Sequence, residues 1–147
     1  MPFVTASISP EGAFFQIALA VSGPRSRVME AAKEDVPPPV VTRGMVDTGA
    51  SGTAVDTSII KQLGLTPTGM VSMHTPSTKG TPEQVNQFDV AILILMEDQH
   101  IHVADLVLPV IETELLHQGF GVLIGRDVLA KALLIYDGRN QRLTAAF

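Results

Sequence analysis

Asp47-Thr48-Gly49-Ala50 is the segment of this chain best suited to chemistry. It follows the apolar pair Met45-Val46 and opens a polar stretch, so a carboxylate stands where a strand gives way to a tight turn. Gly49 frees the backbone for conformations closed to other residues and lets a ligand approach the main chain. The Thr48 hydroxyl can lock such a turn by hydrogen bonding. A second segment, Leu123-Ile124-Gly125-Arg126, is an apolar run ending in glycine just before a short helical stretch. Taken alone, each also reads as ordinary structure: a β-turn in the first case, a buried strand and helix start in the second. Asp-Thr-Gly occurs once, and the chain contains no internal repeat.

Other chemistries fail on residue type or spacing. With no cysteine, the chain has no disulfide, cysteine zinc site, iron–sulfur ligand or catalytic thiol. Ser51 has Gly49 before it but Thr53 after it, so the Gly-x-Ser-x-Gly elbow of serine hydrolases is absent. In the run from Gly119 to Gly125 the last glycine comes one place too late for a dinucleotide fingerprint. His100 and His102 share a strand face but lack an obvious third ligand, so they read as exposed polar residues. No metal and no cofactor is therefore expected. A formal net charge of −5 provides no basic footprint for nucleic acid. The longest unbroken apolar run, residues 90–96, falls far short of the ~20 residues of a membrane helix. The opening Met1-Pro2-Phe3-Val4-Thr5 has no basic region, which predicts no secretory signal and a cytoplasmic location.

The elements that must position these residues are mostly strands. A length of 147 residues suits one domain, and 46% hydrophobic against 17% charged residues supplies a core. Residues 4–9 alternate apolar and polar, Pro10-Glu11-Gly12 reads as a turn, and 13–21 returns as the second arm of a hairpin. Further strands are expected at 40–46, 88–96, 101–110, 120–124, 133–136 and 141–147, the last two joined by the turn Asp137-Gly138-Arg139-Asn140. Short helices are expected at 58–63, capped by Asp56 or Thr57 and stopped by Gly64, and at 126–131. The result is an all-β domain, a closed barrel or sandwich with one or two short helices. Two stretches fall outside its core. Residues 23–39, ending Pro37-Pro38-Pro39, form a surface insertion with one helical turn at 28–33. Residues 66–87, punctuated by Pro67, Gly69, Pro76, Gly80 and Pro82, form a long mobile hairpin.

The order of these elements resembles that of the retropepsin family, the small dimeric aspartic proteases of retroviruses and their cellular and bacterial relatives. The order runs hairpin, strand, Asp-Thr-Gly-Ala, short helix, long hairpin, two strands, Leu-Ile-Gly-Arg, short helix and terminal strand. The resemblance spans nearly the whole chain, 1–147 as a single domain, except the 23–39 insertion. It implies that Asp47 is the catalytic carboxylate of an aspartic endopeptidase, and that Thr48 bonds across a dyad to a partner chain. Gly49 would offer its carbonyl to bound peptide, with Ala50 and Ser51 beside it. Ile124 and Gly125 would back the loop. Thr75, Pro76, Ser77, Thr78, Lys79 and Gly80 would form the tip of a flap, residues 66–87. The terminal strands would build a dimer sheet, with Leu143, Ala145 and Phe147 alternating onto the interface.

The same resemblance implies a homodimer acting on peptide or protein. Like charges a few ångströms apart cannot both ionise, so two Asp47 carboxylates would share one proton. One copy of Asp-Thr-Gly supplies only half of that pair. Two departures stand out. Many viral relatives carry an acid where this chain has Ser51, so Arg126 lacks that partner, and Asp127 or Asp56 are the available substitutes. The flap tip also holds one glycine and a proline. The competing expectation is a catalytically silent dimeric module that uses the same cleft only to hold peptide.

Overall fold

The structure, a computed structural model, describes residues 1–74, 79–96 and 100–147. Among them the alternating sequence becomes ten strands. These are β1 (Phe3–Ser9), β2 (Gly12–Val21), β3 (Val40–Val46), β4 (Ala54–Asp56), β5 (Gly69–Met73), β6 (Glu83–Leu95), β7 (His100–Thr113), β8 (Val122–Ile124), β9 (Leu133–Asp137) and β10 (Arg142–Ala146). Three short helices accompany them: α1 (Gly23–Ala31), α2 (Thr57–Gln62) and α3 (Arg126–Leu129).

Six strands close on themselves in the order β6-β7-β4-β8-β3-β2, with β2 returning to pair with β6. Closure follows from the pattern: alternate residues of a strand share a face, and every strand of the ring has an apolar face to bury. Phe15, Ile17 and Leu19 of β2 meet Val90, Ile92 and Ile94 of β6 and Val122 and Ile124 of β8 in one buried cluster. Outside the ring, β1, β10 and β9 form an antiparallel layer. Its inner face carries Val4, Ala6, Leu134, Leu143 and Ala145 onto the same cluster.

That packing corrects one expectation. Leu143 and Ala145 are fully buried within their own chain, and Phe147 packs against the same core, so this face is not free for a partner. The outward face of the layer presents Phe3, Leu133 and Ile135 instead, each more than half exposed.

The insertion differs as well. The single turn expected at 28–33 is a nine-residue helix, α1, that begins at Gly23. Ser22 starts it by accepting the Arg25 N–H at 3.4 Å, and Pro24 fills a first-turn position where no N–H is needed. The triple proline stays outside the sheet. The hairpin at 66–87 is partly ladder: β5 pairs with β6 from Gly69↔Gln87 to Met73↔Glu83, so β6 begins before the expected Phe88. Thr75, Pro76, Ser77 and Thr78 lie outside the described residues. No helix among the described residues is long and apolar enough to cross a membrane.

Candidate active site

β3 and β8 run parallel, with Gly44↔Val122, Met45↔Leu123 and Val46↔Ile124 in register, so both signature segments leave the barrel side by side. Main-chain bonds then fasten them. Asp47 N–H donates to the Ile124 carbonyl at 3.0 Å, and Arg126 N–H donates to the Ala50 carbonyl at 2.9 Å. Within the turn, Ala50 N–H reaches the Asp47 carbonyl at 3.3 Å, and Gly49 N–H reaches Asp47 Oδ1 at 2.8 Å. The carboxylate is thus oriented by its own loop and partly open to solvent.

Thr53 and Asp127 lock the two loops from below. Thr53 is buried, accepts the Gly125 N–H at 3.1 Å and donates its hydroxyl to Asp127 Oδ1 at 2.7 Å. Asp127 takes the Val128 N–H on that same Oδ1 at 2.9 Å and the Thr53 N–H on Oδ2 at 3.0 Å. Asp127 is therefore committed to the loop support and is not the partner of Arg126. Neither is Asp56, described below. Arg126 grips the catalytic turn directly: its Nη1 donates to the Thr48 carbonyl at 2.9 Å and the Gly49 carbonyl at 3.1 Å. An arginine on main-chain carbonyls replaces the acid–arginine pair that Ser51 makes impossible.

Gly125 admits no side chain, because a Cβ built there would overlap the Gly52 carbonyl. The obstacle is backbone and cannot turn aside. Gly125→Ala should therefore destabilise the fold by about 3 kcal/mol, read as a lowered urea midpoint at unchanged slope.

Asp56 holds the next part of the wall. It caps α2 through Ser58 N–H at 2.8 Å and accepts the Ser58 hydroxyl at 2.6 Å. Its other oxygen takes the N–H groups of Leu115 and Leu116 at 2.7 and 2.8 Å. Burial opposes ionisation of this carboxyl, but the Ser58 hydroxyl and the three N–H groups outweigh it and hold the pKa at about 2. The folded value lies below the ~3.9 of an unfolded aspartate, so the contribution is complete above that value and fades as pH falls toward 2. Denaturant titrations at pH 6 and pH 2.5 should show the wild type losing about 2 kcal/mol more than Asp56→Asn over that range.

Register builds a feature the sequence did not disclose. Phe14↔Met45, Met45↔Leu123, Leu123↔Ala54 and Ala54↔Ile111 are successive cross-strand pairs, so these five side chains form one apolar row across the outside of the barrel. Phe120 and Leu115 pack onto it, with the Phe14 and Phe120 rings 5.8 Å apart. Asp47 follows Met45 by two positions and continues the same face.

Among the expected site residues, Asp47, Thr48, Gly49, Ala50, Ile124 and Gly125 come together as one bonded unit, with Ser51 exposed beside it. Lys79 and Gly80 do not join them. Both are exposed, have left-handed backbones and turn the distal end of the β5–β6 hairpin. An open hollow of about 560 Å³ lies between that hairpin and the end of β7, lined by Met70, Met73, Asn86 and Glu112, and does not reach Asp47. Among the described residues, no group of His, Cys, Asp and Glu is arranged to hold a metal ion.

An aspartyl protease family model matches residues 38–128, which span both signature segments. In three dimensions the chain is similar to a retropepsin-like aspartic protease from Rickettsia conorii, at TM-score 0.58 and 14% identity, covering 98% of this chain and 89% of that one. It also matches the retroviral protease-like domain of Ddi1 from Leishmania major, at TM-score 0.44 and 13% identity, covering 90% and 87% of the two chains. A third match is EIAV protease in complex with an inhibitor, at TM-score 0.39 and 18% identity, covering 62% and 76%. The fold comparison rests on the Rickettsia structure. No curated protein matches the chain in sequence.

Proposed function

The chain belongs to the aspartyl protease family, and from that premise we propose that it is an endopeptidase whose active form is a homodimer with two Asp47 carboxylates at the dyad. The observation that carries this reading is the fastening of the Asp47 turn to Ile124 and Arg126, which holds one aspartate at a solvent-facing loop with its orientation fixed. A single carboxylate cannot act as acid and base at once. Two of them, brought close, share one proton. The ionised member takes a proton from water as its oxygen attacks the peptide carbonyl. The protonated member gives its proton to the carbonyl oxygen, and the leaving nitrogen is protonated as the carbon–nitrogen bond breaks. The pair titrates as a unit.

Substrate would lie extended across the loop, bonded through its main chain, with the β5–β6 hairpin closing over it as a flap. The row Phe14-Met45-Leu123 beside Asp47 favours apolar side chains next to the cleaved bond. Thr48, exposed at the top of the turn, would meet its counterpart across the dyad. The outward face of β1, β10 and β9, where Phe3, Leu133 and Ile135 stand exposed, would be the second contact between copies. The test is a mixed peptide library incubated with purified protein from about pH 4 to 7, the range in which a shared-proton pair works. Cleavage between apolar residues supports the reading. A protein that is dimeric, binds peptide and cuts nothing would instead be the silent module.

A further inference from the structure

The first hairpin of the chain is zipped only at its turn. β1 and β2 pair at Ser9↔Gly12 and Ile8↔Ala13 and then part. Beyond that point β1 runs along β10, and β2 crosses to β6 from Ile17↔Ile94 onward. Thr5 and Gln16, which this register would set opposite each other, do not meet. Between them is an opening of about 430 Å³, lined by consecutive residues of each strand, 4–7 and 14–16. Consecutive residues line a space only when it lies along a strand's edge, since a face would show every second one.

The direction of the free groups follows from parity. Ile8 N–H donates to the Gln141 carbonyl and Phe147 N–H to the Pro2 carbonyl, so even-numbered residues of β1 turn their main chain toward β10. Thr5 therefore turns its N–H and C=O into the opening. Free edges of this kind are normally blunted by charge, proline or a bulge. Here Phe-Val-Thr-Ala-Ser, residues 3–7, carries neither charge nor proline. Among the described residues, Arg43 is the one charged side chain lining the space. Its guanidinium lies over the Phe14 ring, 4.1 Å from the centroid, on the Asp47 face of the sheet, and its Nη1 donates to the Gly119 carbonyl at 3.5 Å. Glu11, in the adjoining turn, is itself held by Ser9 and by its own backbone before any effect of Arg43, and it does not occupy the opening.

We infer that this opening is a docking site for an extended polypeptide segment, which adds as a strand to the Thr5 edge and sets an acidic side chain against Arg43. Phe14 lines both this opening and the apolar row beside Asp47. Strand spacing puts the opening and Asp47 roughly 15 Å apart, about four or five residues of extended chain. That the segment is the flank of a substrate rests on the proposed function; the binding does not.

The experiment uses Asp47→Asn protein, so that nothing turns over, and a fluorescein-labelled octapeptide of alternating Val and Thr with one central Asp. Saturable binding is expected. N-methylating alternate amides should weaken it at least about thirtyfold, and exchanging the Asp for Lys should weaken it about tenfold. Arg43→Ala should remove the preference between the Asp and Lys peptides. Hydrogen exchange locates the site: in free protein the Thr5 amide should exchange at least about a hundredfold faster than Val4 and Ala6, and added peptide should slow it. A Thr5 amide as protected as its neighbours in free protein overturns the inference, as does equal binding of the N-methylated peptide. Thr5 protection that rises with protein concentration alone would assign the opening to a second copy and also overturn it. A protein that cuts no peptide yet shows the Thr5 response leaves this site standing and removes only the endopeptidase reading.

Discussion

Asp47→Asn should leave a folded protein of unchanged solution mass and lower peptide cleavage by at least about 10⁴-fold. The structure gives reasons for both halves of that result. Asn keeps the oxygen that accepts the Gly49 N–H at 2.8 Å, and the main-chain bond from residue 47 to Ile124 does not involve the side chain. The turn therefore keeps its shape. The amide can neither take a proton from water nor share one with its counterpart, and in a homodimer both members of the pair are lost at once. Thermal melting and sedimentation measure the first half, and hydrolysis of a peptide identified from the library measures the second. Activity within tenfold of wild type would remove Asp47 from the chemistry. The same protein unfolded or monomeric would mean that the carboxylate holds the loop together, a role the hydrogen bonds assign to other residues.

Those other residues mark the limit of what could be read from the sequence. Asp47-Thr48-Gly49 and Ile124-Gly125, each ordinary when taken alone, could be singled out because their order along the chain is informative. The barrel strands were legible from alternation, as in β2, where Phe15, Ile17 and Leu19 face inward. The helix cap at Asp56 was legible as local chemistry, but its hold on Leu115 and Leu116 was not, because those residues lie far along the chain. The partner of Arg126 was misread for a related reason. A search among acids misses main-chain carbonyls, which every residue carries and no sequence distinguishes. β4 has three residues, too few to show a period. Leu143 and Ala145 alternate as an interface strand would, and a core strand gives the same alternation; only the pairing of β10 between β1 and β9 decides. The row from Phe14 to Ile111 crosses five strands, and register between distant segments is set by closure of the whole sheet.

Mixing wild-type protein with a ninefold excess of Asp47→Asn should reduce cleavage per wild-type chain about tenfold. If chains exchange and pair at random, only one wild-type chain in about ten finds a wild-type partner, and a pair with one amide lacks either its base or its acid. An enzyme complete within one chain would be indifferent to the added protein. The same logic links rate to concentration: specific activity should fall on dilution as dimers dissociate, and substrate should slow that loss because it binds only the paired form. Ile135→Lys separates the pairing from the fold. Its side chain is on the outward face of the terminal layer, more than half exposed, and touches none of the barrel core, so the melting temperature of the monomer should scarcely move. Two copies pressed together at that face would bury two ammonium groups side by side. Like charges in a desolvated contact repel strongly enough to shift the population to monomer, and cleavage should then be lost at concentrations where wild type is fully active. A fully active Ile135→Lys protein would move the contact between copies away from this sheet. Full activity in the ninefold mixture would remove the shared pair of aspartates altogether.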